Sequence, residues 1–166
     1  MKRILLVGGA RPNFMKLAPL VRAFVARGIE CPLLHTGQHY AALLSDIFFQ
    51  ELGLPAPTYA LGVGSSDRRT QTQAIVQGIL PILRGESWDA VLVVGDVTST
   101  VAATMAAVEV GIPVIHVEAG LRSFNWQMAE ELNRVFVDRY ATWLFTTEPA
   151  AKKHLLNEGI SADSVF

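Results

Sequence analysis

The sequence predicts an α/β protein, one doubly wound parallel sheet in a three-layer α/β/α arrangement. Three observations predict it. Short apolar runs rich in branched residues stand at positions 90–94 and 113–117, and further strand-like segments at 3–7, 29–36 and 142–146. Longer segments whose apolar residues return at helical spacing lie between them. Apolar runs bounded by turn residues mark buried parallel strands, and their alternation with helices marks a sheet built by crossovers. Charged residues also stand just past two of the runs, Asp96 in Gly95-Asp96-Val97-Thr98-Ser99-Thr100 and Glu118 in Val117-Glu118-Ala119-Gly120-Leu121-Arg122. In open α/β sheets the ligand crevice lies outside the carboxyl ends of the strands.

The elements follow in order. Residues 3–7 form a strand and Gly8-Gly9-Ala10-Arg11 the turn after it. Pro12 suits a first helical position, where its missing N–H has no partner in any case. Leu17, Leu20, Val21, Phe24 and Val25 recur at helical spacing, and Gly28 stops the helix. The strand 29–36 leads into the loop Gly37-Gln38-His39-Tyr40 and a helix over 41–52, closed by Gly53. Residues 55–66, rich in Pro, Gly and Ser, are expected as loop. A long helix follows over 67–83. Next come strand 90–94, helix 98–110, strand 113–117, loop 119–127, helix 128–140, strand 142–146 and helix 148–158, capped by Gly159. Val165-Phe166 resemble the opening of a further strand.

The totals narrow the possibilities. A chain of 166 residues suits one domain with a sizeable core. It is 51% hydrophobic and only 17% charged, which fits a sheet covered on both faces or a surface that a partner normally covers. No apolar run is long enough to span a bilayer, so a membrane is not an expected partner. The start, Met1-Lys2-Arg3-Ile4, runs into a strand without a cleavable signal pattern. The single Cys31 excludes an internal disulfide and fits a reducing cytoplasm. A net charge of −1 without a basic run argues against nucleic acid as a partner. His35, His39, His116 and His154 lack ligand spacing, so no metal site is expected.

Asp96, Glu118 and the pair Glu130-Glu131 are expected at one rim. Mutual repulsion there would raise carboxylate pKa values, as acid/base chemistry needs. Asp96 also suits a helix cap, and the glutamate pair suits a helix N-terminus. Arg11 precedes the first helix and Lys16 lies in its second turn. The Gly9 and Ala10 amides, with that helix N-terminus, are expected to form an anion site. His116 is expected in the core, and Asn133 and Arg134 as structural partners of the rim.

Five stretches carry a resemblance. They are Gly9-Ala10-Arg11-Pro12-Asn13-Phe14-Met15-Lys16-Leu17-Ala18-Pro19-Leu20, His35-Thr36-Gly37-Gln38-His39-Tyr40, Gly95 to Thr100, His116 to Arg122, and Met128-Ala129-Glu130-Glu131-Leu132-Asn133-Arg134. Taken in order, they resemble motifs of the non-hydrolysing UDP-N-acetylglucosamine 2-epimerases. Ala129 departs from that pattern, which has Pro before the paired glutamates. The resemblance implies that residues 1–166 are an N-terminal Rossmann-like domain, one half of a glycosyltransferase-B-type two-domain fold with its active site between the halves. The C-terminal UDP-binding domain, which brings a catalytic histidine, is expected to be absent.

The resemblance further implies interconversion of UDP-N-acetylglucosamine (UDP-GlcNAc) and UDP-N-acetylmannosamine (UDP-ManNAc). UDP is eliminated to leave a 2-acetamidoglucal, then added back, with no cofactor or metal. It assigns Asp96, Glu118 and Glu130 to catalysis and Arg11 and Lys16, with Asp96 and Glu118, to substrate binding. Gln38, His39 and Arg68 fall near an activating, allosteric site. Which carboxylate is acid and which is base stays open. A cytoplasmic enzyme of cell-envelope polysaccharide biosynthesis is expected, inactive without its second domain or a partner chain carrying it. A homodimer is expected through the helices 41–52 and 67–83, which carry Leu43, Leu44, Ile47, Phe48, Ile75, Ile79 and Leu80. The rival readings are a nucleotide-sugar-binding module or split-enzyme subunit without turnover, half of a glycosyltransferase, and a hydrolysing epimerase.

Overall fold

The computed structural model describes residues 2–37 and 42–166, with the side chains of 42–46 outside the description. Strands β1 (Ile4–Gly8), β2 (Leu33–Gly37), β3 (Tyr59–Val63), β4 (Ala90–Val94), β5 (Val114–Val117) and β6 (Trp143–Phe145) pair in the order β3-β2-β1-β4-β5-β6. Every pairing is parallel. The chain winds outward from β1 to β3, returns beside β1 as β4, then winds the other way. The switch point falls between β1 and β4, where doubly wound sheets hold their ligands.

Strand residues alternate between two apolar faces. Ile4, Leu6, Leu33, Leu92 and Val94 pack under helices α1 (Arg11–Val25) and α2 (Ala42–Glu51). Leu5, Val7, Leu34, Val91, Val93 and Val114 pack under α3 (Arg68–Gly85), α4 (Thr98–Glu109) and α5 (Ala129–Tyr140). A sheet covered on both sides needs apolar residues at successive positions, which is why these strands read as continuous runs. Ala102, Ala103, Ala106 and Ala107 on α4 are fully buried. Their small side chains let α4 lie close to the sheet at its centre. Helix α6 (Pro149–Asn157) seals the β6 end through Ala151 and Leu155.

Three expectations change. The expected loop 55–66 contains the edge strand β3, whose half-exposed residues and Gly62 at φ +65° dilute the strand signal. The second strand starts at Leu33 rather than Ile29, because Pro32 has no N–H to give the ladder. Ile75 and Ile79, expected at a dimer surface, lie in this domain's own core at 2% and 0% exposure. The side chains of Leu43 and Leu44 lie outside the described residues, while Ile47 is exposed and Phe48 half-buried.

A charged crevice at the topological switch point

The parallel sheet delivers the turns after β1, β4 and β5 to one rim. The turn after β1 is shaped by close approach. A Cβ on Gly8 would stand 2.6 Å from the Phe14 ring, and one on Gly9 would stand 2.0 Å from Ser99 Oγ and 2.7 Å from Thr36 Oγ1. The hydroxyls of Thr36 and Ser99 hydrogen-bond to each other at 2.7 Å, so the end of β2 and the start of α4 meet over Gly9. The Gly9 and Ala10 amides are not an anion site. Asn13 Oδ1 accepts from both, at 3.2 and 3.0 Å, and its amide nitrogen donates to Val94 O at 3.3 Å. Asn13, which sequence reasoning passed over, therefore ties the β1 turn to the end of β4. Its signal was its place as the third helical residue, where a polar side chain turns back to cap.

The strand-end carboxylates each have a cation. Lys16 Nζ lies 2.5 Å from Glu118 Oε2, and Arg134 Nη2 lies 2.5 Å from Asp96 Oδ2. A Cβ on Gly95 would stand 3.3 Å from Glu118 Oε2, so the Glu118 carboxylate hangs over the residue before Asp96. The rim is thus charge-compensated, not the bare cluster of like charges expected from the sequence. Asp96 does not cap α4, whose first turn has no side-chain cap. Arg134 Nε is buried with no hydrogen-bond partner among the described residues, an unmet donor beside Asp96.

The other candidates divide. Arg11 is exposed, with its guanidinium carbon 4.8 Å from the centre of the Phe48 ring. Glu130 is exposed in the first turn of α5, one turn before Arg134 on the same helical face. Glu131 is 2% exposed and faces inward, accepting from Ser123 N at 2.7 Å, Ser123 Oγ at 2.9 Å and Phe124 N at 3.2 Å. Burial pushes the Glu131 carboxyl up. The Ser123 and Phe124 bonds, with the Arg122 charge, outweigh burial and leave it below its ordinary value. Arg68 donates to Asn133 Oδ1, and Asn133 donates to Asp96 O at 2.6 Å. Gln38 and His39 lie outside the described residues. No group of three or more potential metal ligands occurs among the described residues.

Behind the rim lies a second set of charges. His116 and Asp138 are 0% and 1% exposed and bonded to each other at 2.7 Å. His116 is a core histidine, as expected, but a fully bonded one. Arg122 bridges Asp138 and Glu158, donating to each at 2.7 Å. Burial alone would weaken Arg122 as a cation, but Glu158 and Asp138 hold it more firmly charged.

A parallel sheet in the order β3-β2-β1-β4-β5-β6, wound both ways from its centre, defines an α/β protein of the doubly wound, Rossmann-like class. The chain belongs to the UDP-N-acetylglucosamine 2-epimerase family, whose sequence model matches residues 23–166. It is 40% identical over 164 residues to the UDP-N-acetylglucosamine 2-epimerase of Methanocaldococcus jannaschii, covering 99% of this chain and 45% of that one. It is 39% identical to the UDP-2,3-diacetamido-2,3-dideoxy-D-glucuronate 2-epimerase of Pseudomonas aeruginosa, covering 95% and 45%. The fold superposes with a TM-score of 0.93 on a crystal structure of the M. jannaschii enzyme in complex with UDP-GlcNAc and UDP. There the identity is 41%, with 100% of this chain and 46% of that one covered. The chain thus spans somewhat under half the length of the relatives it matches.

Proposed function

We propose that this chain supplies one wall of a UDP-N-acetylglucosamine 2-epimerase active site, with Asp96, Glu118 and Glu130 handling its protons. The observation that carries the reading is the pair of strand-end carboxylates, each held by a cation at the switch point of a chain in this family. Inverting C2 by elimination removes a proton from C2 as UDP leaves C1. A proton must then return to the opposite face as UDP adds back. That sequence needs a base and an acid on two sides of the ring and cations for the departing diphosphate. Lys16 and Arg134 match the diphosphate, Arg11 at the start of α1 is a third cation for it, and Arg134 Nε is a donor free for a ligand oxygen. As the cations turn to the diphosphate, Glu118 and Asp96 are released to exchange protons. Arg68, joined through Asn133 to the Asp96 backbone, is the point through which a second nucleotide sugar would act.

The proposed enzyme is a cytoplasmic homodimer. Among the described residues no helix is long and apolar enough to cross a membrane. Helices α3 and α4 enclose an open groove of about 710 Å³ lined by Val76, Leu80, Val101 and Met105, with Arg68, Arg69 and Glu109 at its edges. An apolar face with charged edges suits self-complementary pairing about a two-fold axis.

The deciding experiment is incubation of UDP-GlcNAc with the protein in D₂O. UDP-ManNAc formation and deuterium at C2 are followed by NMR. The chain alone is expected to give no turnover, because the nucleotide contacts that position the sugar are shared with a second half. Supplying the second half is expected to give UDP-ManNAc carrying solvent deuterium at C2. An assembled two-half protein that leaves UDP-GlcNAc unchanged would refute the reading. Offering the 2,3-diacetamido glucuronate beside it decides which 2-acetamido sugar the crevice takes.

A further inference from the structure

Glu118 has φ +67°, a left-handed backbone that a residue with a Cβ adopts at a cost of about 1–3 kcal/mol. Such strain persists only where the surroundings over-determine it. Val117 O accepts from Gly95 N at 3.0 Å on one side, and Ala119 N donates to Phe145 O at 3.1 Å on the other. The next residue, Gly120, donates its N–H to Asp138 Oδ2 at 3.0 Å, and His154 Nδ1 lies 3.0 Å from its carbonyl. The turn that aims Glu118 is therefore fastened on both sides of that residue, and one of its fastenings is a buried charge.

Asp138 also reaches the other turn. Its Oδ1 meets His116 Nδ1, and His116 Nε2 lies 2.8 Å from Gly95 O, the residue before Asp96. A carbonyl only accepts, so Nε2 carries a hydrogen. Nδ1 faces a carboxylate, so a second proton lies on that line. Gly95 O, His116, Asp138 and Gly120 N form one chain of bonds from the Asp96 turn to the Glu118 turn. Arg122 adds its guanidinium to the same carboxylate. Buried ion clusters are poor stabilisers, since apolar residues of similar volume often serve as well or better. Here its bonds join the two turns that carry Asp96 and Glu118.

We propose that Asp138, acting through His116, is the positioning residue for both rim carboxylates. It sets Glu118 through the Gly120 amide and Asp96 through the Gly95 carbonyl. The proposal rests on the epimerase reading for the carboxylates' duty, but its geometry stands apart from it.

The test separates the two. In this chain, carboxyl ¹³C NMR reads Asp96 and Glu118 individually. Asp138→Asn is expected to move the Glu118 carboxyl resonance most, because the Gly120 anchor weakens. His116→Asn keeps a donor where Nδ1 stood and loses the Gly95 bond, so it is expected to move Asp96 most. His116→Gln keeps the Gly95 bond and is expected to move Asp96 least. Methyl resonances of Ile79 and Leu83, in the half of α3 away from Arg68 and the rim, are expected to stay in place. In the assembled two-half protein, Asp138→Asn is expected to lower kcat about 100-fold with KM nearly unchanged, as misplacement of a reacting group does. Carboxyl resonances that stay put, or that move alike in all three variants, would overturn the proposal. So would a kcat unchanged in Asp138→Asn. If Asp138→Asn does not fold, the two His116 variants decide alone. If the wild-type assembly does not epimerise, the epimerase reading fails while the carboxyl shifts still decide the positioning.

Discussion

Changing Glu131 to Gln and, separately, Glu130 to Gln tests whether adjacent acids have been given opposite duties. In Glu131→Gln the amide oxygen best replaces Oε2, keeping both Ser123 contacts. The new NH₂ then faces the Phe124 N–H, donor against donor. Two bonds lose their charge assistance and a third is lost outright. Hydrogen bonds to charged groups contribute about 1.5–3 kcal/mol and neutral ones about 0.5–1.5. Discounting for the exposure of Ser123 and Phe124, which water can partly re-satisfy, the expected destabilisation is about 2–3 kcal/mol. Glu130→Gln touches an exposed side chain, so it is expected to change stability by no more than about 0.5 kcal/mol. In an assembled enzyme it should nonetheless cut turnover about 100-fold or more. Urea titration gives the stabilities, and hydrogen exchange at Ser123 and Phe124 shows whether the loop has opened. A pH series adds a signed check. The Glu131 carboxyl is lowered on folding, so its contribution is full above the unfolded value of about 4.3 and fades as pH falls through the folded value. The gap between wild type and Glu131→Gln should therefore be flat near neutrality and close below about pH 4. Equal destabilisation by both substitutions, or a neutral Glu131→Gln, would refute the division.

Other predictions follow from the same geometry. Asp96→Asn and Glu118→Gln are each expected to reduce turnover of the assembled enzyme about 100-fold or more, and activity retained in either removes it from the mechanism. Gly9→Ala drives a Cβ into Ser99 Oγ at 2.0 Å, so a loss of about 1–3 kcal/mol is expected in thermal or urea unfolding. Ser99→Gly should recover part of that loss in the double variant, and strict additivity would show that the clash is not the cause. Met105→Glu in the α3–α4 groove should convert a dimer to a monomer in light scattering at micromolar concentration, and a wild-type monomer there would remove the groove from the assembly.

The reach of the sequence can be judged residue by residue. The runs at 90–94 and 113–117 gave their strands almost to the residue, because burial on both faces leaves every position apolar. The edge strand Tyr59–Val63 was missed for the converse reason: none of its five residues is fully buried, and Gly62 sits within it. The rim followed from strand ends alone, since a parallel sheet leaves no other place for the turns carrying Arg11, Asp96 and Glu118. Whether Glu130 or Glu131 faces solvent was not legible. That choice depends on a loop amide at Ser123 and another at Phe124, and no periodicity encodes loop amides.

The Gly8-Gly9 turn shows why local motifs mislead where tertiary contacts decide. Two glycines before a helix suggest backbone amides waiting for phosphate. Here Gly8 makes room for the Phe14 ring and Gly9 for two hydroxyls, and the Gly9 and Ala10 amides already donate to Asn13. Under the proposed function, anion binding at the rim falls to side chains, Lys16 and Arg134, that are resting on carboxylates. Those pairs are exchangeable in a way that backbone amides are not. On that proposal, an entering diphosphate that draws either cation away uncovers a carboxylate at the same moment, and ligand charge and the availability of a base would be coupled through the same bond. Lys16→Met would separate the two effects. It should weaken nucleotide binding, measured by calorimetry, while leaving Glu118 uncovered in the free protein. If binding is unchanged, Lys16 serves Glu118 alone and the coupling does not exist.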